Sequence, residues 1–248
     1  MTVLTSFTNY TKDQIFPFIS SLDSTYFNGR KIVLYYNPDI KIIEFLREHG
    51  WEVYTYPKPK LYINVQRRAD FIELIEKLEL QDETICCTDI RDVIFAKDPS
   101  EIPSNFFLGF DDNVTIEHST WNSNSIKLRH PQYYDELKNY IPLNAGVMIS
   151  EGSIMKDFFT DYCKIITDRN YSDTTIPCSG VDQSTFNLLA YTKYKTLLSN
   201  ISNQFVLHMA NMDIEENSDI KGYHIYHQYE RNKKHFDYVV NLNKKSYI

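Results

Sequence analysis

The chain has 248 residues, 42% hydrophobic and 24% charged, enough for one large α/β domain or two small ones with a substantial core. Its net charge of −7 argues against a nucleic-acid-wrapping surface, so an anionic ligand would need local help from a metal or from arginine. No window reaches about 18 apolar residues and the first residues lack the apolar run of a signal peptide, which leads us to expect no transmembrane segment and a cytoplasmic protein, free or held beside a membrane by a partner.

The cysteines are Cys86, Cys87, Cys163 and Cys178. Adjacent Cys86 and Cys87 point to opposite faces of a strand and make no CxxC metal site, so free thiols in a reducing compartment are expected. Asn9, Asn113 and Asn170 match glycosylation acceptors and read as chance matches without a secretory signal.

In chain order, Val3 to Phe7 reads as a first strand. Thr11 with Gln14 three residues on is a capping box for a helix running to about Leu22, with Pro17 inside it. Lys31 to Tyr36 is a second strand. Asn37-Pro38 opens a helix whose face is Ile42, Ile43 and Leu46, with Gly50 as its stop. Trp51 to Tyr56 alternates as a third strand. Two strand–helix–strand units this early imply a parallel sheet and a nucleotide-binding type of half. A further helix buries Phe71, Leu74, Ile75 and Leu78, and we expect Arg67 and Arg68 at its N-terminal end. There they would offer two guanidiniums to an anion, or simply be solvated.

Thr84 to Thr88 is a short β-branched run that reads as a strand buried on both faces. It ends in Asp89-Ile90-Arg91-Asp92. Carboxylates are costly to bury unless paired or bound to metal, and ligands collect at strand carboxyl ends in α/β sheets. Two hard oxygen ligands suit Mg2+ or Mn2+, and such an ion suits a diphosphate. The plain alternative is Arg91 pairing with one aspartate in a surface turn. Val93 to Phe95 and the Asp98-Pro99 turn follow.

Asn105 to Phe110 is another strand. Asp111, Asp112 and Glu117 open a polar segment, without a clean period, that reads as a functional loop to about Arg129. Pro142 to Ile149 reads as a small-residue turn entering a strand. Its Asn144, Ala145 and Gly146 allow close backbone approach by a ligand. Ile154 to Ile166 is an amphipathic core helix. Cys178-Ser179-Gly180 is a turn into a helix opened by Asp182 and Gln183, where Asp182 could serve only as a cap. Tyr223 to Arg231 alternates, placing Tyr223, Ile225, His227 and Tyr229 on one face; His227 is a packed imidazole or a metal ligand. The tail from Asn241 to Ile248 is polar and loose.

The order of these features resembles the GT-A glycosyltransferases over about residues 3 to 231. Thr88 to Pro99 is similar to the D-x-R-D-V-x-F…D-P signature of one branch. Leu143 to Val147 resembles its N-A-G-V segment, Asp182-Gln183 with Asn187 its D-Q…N segment, and His227 to Arg231 its H-Q-Y-D-R ending, with Glu230 where Asp is usual. Asp89 stands one residue farther from Asp92 than the simple D-x-D allows, so it would bind an ion directly, through water, or by orienting Arg91.

The resemblance implies one GT-A (Rossmann-like) α/β domain over 1–248, with a mixed, mainly parallel sheet flanked by helices. Residues 1–110 would form the nucleotide-binding half and 111–248 the sugar and acceptor half. It implies a sugar moved from a nucleotide diphosphate, expected to be a UDP-sugar, to a glycan or other hydroxyl acceptor. Mn2+ or Mg2+ would sit on Asp89, Asp92 and His227. Thr5, Ser6 and Phe7 with Arg67 or Arg68 would meet the nucleotide, and Asn144, Ala145 and Gly146 the sugar. Asp182, Gln183 and Arg91 would carry catalysis. An inverting reaction would need a base from Asp182, Asp112 or Glu117; the Asp-Gln segment resembles retaining branches more closely. Rival readings are a sugar-nucleotide-binding domain without activity, a nucleotidyltransferase, whose Gly-rich basic first loop TSFTNYTK lacks, and a dehalogenase-type phosphatase, whose D-x-D-x-T is absent.

Overall fold

The computed structural model describes residues 1–103, 106–111, 113–168, 180–198, 205–210, 222–231 and 234. Asn105, Asp112, Cys178, Ser179, the Asn170 acceptor and the tail lie outside the described residues.

Strands β1 (Thr2–Thr8), β2 (Arg30–Tyr36), β3 (Glu52–Tyr56), β4 (Thr84–Thr88), β6 (Phe107–Phe110) and β7 (Leu143–Glu151) form one sheet in the order β3-β2-β1-β4-β7-β6. β1 runs parallel to β2 and β2 to β3, whereas β6 and β7 are antiparallel. A smaller sheet orders β5 (Val93–Phe95), β9 (Ile225–His227) and β8 (Val206–His208). The short β-branched runs make the strands, and β1 and β4 are buried almost throughout on both sheet faces, their Thr and Ser residues included.

Two compact units divide the chain: Met1–Lys58, Cys86–Pro103 and Ile201–Ile248 in the first, Pro59–Ile85 and Ser104–Asn200 in the second. In the first unit, α1 (Lys12–Ser24) starts on the expected box, with the Gln14 side chain accepting from the Thr11 amide at 2.9 Å. α2 (Ile40–Glu48) is capped by Asp39 and buries Phe45 beside Ile43 and Leu46, while Ile42 is only half-buried. Gly50 takes the left-handed conformation (φ +75°) that ends it. Ser21 of α1 accepts from the Phe95 amide at 3.1 Å, tying α1 to β5. Ile94, Leu207, Met209, Tyr226 and Tyr229 form a separate apolar cluster around the small sheet.

In the second unit, α3 (Ile63–Lys77) packs on α6 (Gly152–Asp168), and α7 (Val181–Tyr191) packs on β7. Four local expectations need correction here and in the small sheet. α3 begins at Ile63, so Arg67 and Arg68 lie in its second turn and are buried, 6% and 1% exposed, not presented at a helix end. Asn144 to Gly146 sit inside β7, which is buried from Leu143 onward, and the turn lies earlier, at residues 138–140. Much of the supposed functional loop is α4 (Thr120–Arg129), whose inward stripe, Asn122, Ser123, Ile126 and Arg129, is mostly polar, so no apolar period marked it. The late alternation stops at His227. Gln228 turns left-handed (φ +57°) and Tyr229 enters a 3-10 turn.

Candidate functional site

In the first unit, three chain-distant pieces meet at the end of β4. The strand delivers Asp89 and Asp92 in the turn before β5. β9 pairs antiparallel with β5, with Val93 opposite His227, and so brings the imidazole to that turn. His227 Nε2 lies 3.9 Å from an Asp89 oxygen and 3.7 Å from an Asp92 oxygen. One ligand atom from each residue falls within 4.8 Å of the others. The sequence-predicted trio is therefore gathered in space, with His227 buried and both carboxylates partly exposed.

The electrostatics point the same way. Burial, then the Asp89 charge, then that of Glu230, push the Asp92 carboxyl up to about 7, against the opposing pull of Arg231. Two oxygens and one imidazole nitrogen form a donor set that suits Mn2+, with Mg2+ the oxygen-preferring alternative. By donor chemistry and spacing, these residues fit a divalent cation.

Arg91, between the aspartates, pairs with Glu230, where the plain alternative had it pairing with an aspartate of the turn. Its Nε lies 3.0 Å from one Glu230 oxygen and donates to the other at 3.1 Å. Its guanidinium also sits 5.8 Å from the centre of the Tyr10 ring. Tyr10 stacks near Phe7, at 6.3 Å and 3° between planes, and Phe7 stacks on Tyr35 at 4.3 Å. Burial, then Asp89, raise the Tyr10 phenol above its ordinary value. Tyr10 carried no motif, and only its position just after β1 could have drawn attention to it. Thr5, Ser6 and Phe7 are all buried in β1, and Thr5 donates to the Thr88 carbonyl at 2.8 Å. The hydroxyls of Ser6, Thr8 and Thr88 are buried without a hydrogen-bond partner among the described residues. Such groups are uncommon in folded proteins unless a ligand or water serves them.

The second unit holds a different kind of polar centre. Arg67 and Arg68 each place a guanidinium nitrogen 3.7 Å from the same Asp182 oxygen. Arg68 also donates to the Ala145 carbonyl at 3.0 Å and lies over the rings of Phe159 (5.0 Å) and Phe186 (4.7 Å). Buried Tyr162, whose phenol burial and then Asp182 raise well above the ordinary value, completes the surroundings of the carboxylate. Asp182 lies in the first turn of α7, two residues after Gly180 (φ +80°), which holds the N-cap position.

Beside it runs a chain of buried carboxamides. Asp111 accepts from Asn122 and from Asn144, both at 2.8 Å. Gln183 donates to Asn122 at 2.8 Å, and its own oxygen faces the Asn144 amide at 3.4 Å. Asn144 accepts from the Gly146 amide at 2.6 Å, and Asn187 bridges both backbone groups of Leu143 at 2.8 Å. Asn122 and its link to Asp111 were not read from the sequence, because the α4 stripe that carries Asn122 is polar. Glu117 is exposed, and its backbone amide donates to the Lys138 carbonyl.

No protein-family sequence profile matches the chain, and no curated protein matches it. Its fold is shared with a solved galactosyltransferase, LgtC, determined in complex with donor and acceptor sugar analogs. The two superpose with a TM-score of 0.58 over 99% of this chain and 96% of that one, at 13% identity. The chain has the GT-A, Rossmann-like α/β fold. At that identity the likeness is one of fold, and the activity has to be argued from the site. Among the described residues, no helix is long and apolar enough to cross a membrane.

Proposed function

We propose that the protein is a divalent-metal-dependent glycosyltransferase that moves a sugar from a nucleoside diphosphate, most simply a UDP-sugar, to a hydroxyl of a glycan. One observation carries the reading: Asp89, Asp92 and His227 converge at the end of a central strand of a GT-A sheet, with ligand atoms within 4.8 Å of one another. Residues 1–110 would supply the nucleotide-binding half of a single catalytic domain, and 111–248 the sugar and acceptor half.

In this reading Asp89, Asp92 and His227 hold the cation. Mn2+ or Mg2+, when bound, supplies the positive charge that stabilises the departing diphosphate. The buried hydroxyls of Ser6, Thr8 and Thr88 and the aromatic stack of Phe7 and Tyr10 support a nucleotide contact along β1. Asn144, Ala145 and Gly146 would face the sugar, with the network of Asp111, Asn122 and Gln183 fixing the Asn144 amide. Arg67 and Arg68 orient Asp182, each from 3.7 Å, and Asp182 with Gln183 would act at the reacting carbon. The bond from that carbon to the diphosphate oxygen breaks, the acceptor oxygen replaces it, and the acceptor's proton passes to the departing diphosphate oxygen. A carboxylate held between two guanidiniums is a weak base. That supports the retaining course, in which no base on the acceptor side is needed.

Calorimetric titration with a panel of nucleotide-sugars, with and without Mn2+, tests the proposal. The expected result is Mn2+-dependent binding of one donor by the wild type and its loss in Asp92→Ala. Metal-independent binding unchanged in that variant, or no binding of any donor, overturns it. Donor binding without hydrolysis or transfer identifies instead a binding domain without activity.

A further inference from the structure

The metal centre assembles from a turn and a strand far apart in the sequence, and three carboxylates crowd it. Asp89, Asp92 and Glu230 repel one another, and that repulsion drives the β4–β5 turn away from the segment after β9. Four contacts oppose it. β5 and β9 pair with Val93 opposite His227. The Gln228 amide donates to the Asp92 carbonyl at 2.7 Å. The Tyr229 hydroxyl reaches the Arg91 carbonyl at 3.4 Å. Arg91 grips the Glu230 carboxylate through Nε, at 3.0 and 3.1 Å from its two oxygens.

The last contact differs from the others in being a side-chain pair at the surface. Arg91 is 44% and Glu230 26% exposed in their side chains. Exposed ion pairs contribute little to global stability. Its placement matters more: Arg91 stands between the two aspartates, and Glu230 stands three residues beyond His227.

Resting on the metal reading above, we propose that Arg91 and Glu230 are positioning residues for that centre. Their ion pair clamps the turn bearing Asp89 and Asp92 to the strand end bearing His227, so that the three ligands are in place before a cation arrives. Partners of this kind, which hold ligands without touching the ion, typically change metal affinity ~10–100-fold when removed.

The proposal makes a prediction opposite in sign to simple electrostatics. Arg91→Met removes a positive charge beside the site, and by Coulomb's law alone it should tighten cation binding. A broken clamp weakens it instead. We would titrate the full chain with MnCl2, following free Mn2+ by electron paramagnetic resonance, and record the Tm of each protein.

Arg91→Met is expected to bind Mn2+ about tenfold more weakly, with Tm within a few degrees of wild type. Arg91→Lys keeps the charge but not the planar fork, and is expected to weaken binding about threefold, where charge alone predicts no change. The exchange of both partners, Arg91→Glu with Glu230→Arg, is expected to restore binding to near wild type. Equal or tighter Mn2+ binding by Arg91→Met or by Arg91→Lys overturns the clamp, as does failure of the exchange to recover affinity in a folded protein. If wild type itself binds no Mn2+, the metal reading falls, and the clamp with it; if wild type binds and the variants match it, only the clamp falls.

Discussion

Two polar centres in this molecule solve opposite problems. Around Asp182, two arginines, a tyrosine and a ladder of carboxamides close on one another, and the carboxylates at Asp182 and Asp111 each have named donors or cations within reach. Around Asp92, carboxylates outnumber what the protein supplies, and burial with the charges of Asp89 and Glu230 raises the group to about 7. The first arrangement pairs its charges with one another inside the second unit. The second, on the function proposed above, takes up a cation. A polar centre that the chain has satisfied contributes stability and shape, whereas one left with excess charge spends stability to bind something.

The largest effect should come from breaking the satisfied centre. Arg68→Ala removes a guanidinium that is 1% exposed, opens space between Phe159 and Phe186, and strips the Ala145 carbonyl of its donor. Removing one partner of a buried charge cluster costs about 3 kcal/mol or more. For a chain of this size that is roughly a 6–12 °C drop in Tm by calorimetry. A drop under about 2 °C would mean the cluster is solvated, and the contrast between the two centres would collapse.

The unsatisfied centre should respond in the opposite direction. The folded value of Asp92 lies above its ordinary 3.8, so its ionised form opposes folding. At low pH the group is protonated folded and unfolded, and no cost arises. The cost grows as pH rises from about 4 to about 7 and is complete above that. Asp92→Asn should therefore raise the Tm of the metal-free protein at pH 8 by a few degrees, of the order of 1 kcal/mol, and by less at pH 5. The same substitution should weaken Mn2+ binding by about 100-fold, read by calorimetry. A variant less stable than wild type at pH 8 would place Asp92 among the satisfied groups.

The contrast also marks what could be read from the residues. β1 to β4 were legible because β-branched runs bounded by turn residues have few other uses. The Asp89–Asp92 pair was legible because ionised groups at the end of a buried strand are locally improbable. His227 was legible only through the motif around it. The satisfied centre was not. Burial of Arg67 and Arg68 depends on Asp182, more than a hundred residues away, and local sequence does not show a distant partner. α4 was hidden because its buried stripe is made of Asn122, Ser123 and Arg129, which an apolar pattern does not count. The Arg91–Glu230 pair spans 139 positions, and it appeared in the sequence only as a Glu where Asp is usual.

The smallest effect separates the two centres most cleanly. Gly180 heads α7, two residues before Asp182, in a left-handed conformation (φ +80°). An added Cβ there would press on the Ser125 hydroxyl oxygen and stand 3.0 Å from the Ser125 Cβ and 3.6 Å from the Trp121 ring. The hydroxyl is the end of a short side chain that can rotate, so the clash is partly relieved, and the backbone strain remains. Gly180→Ala should cost about 1 kcal/mol, or roughly 2–4 °C in Tm. Because the strain lies in the second unit and the metal ligands all lie in the first, Mn2+ affinity should not move. A Tm loss accompanied by a matching loss of Mn2+ affinity would show that the ligand set depends on the satisfied centre, and that the two cannot be treated as separate devices.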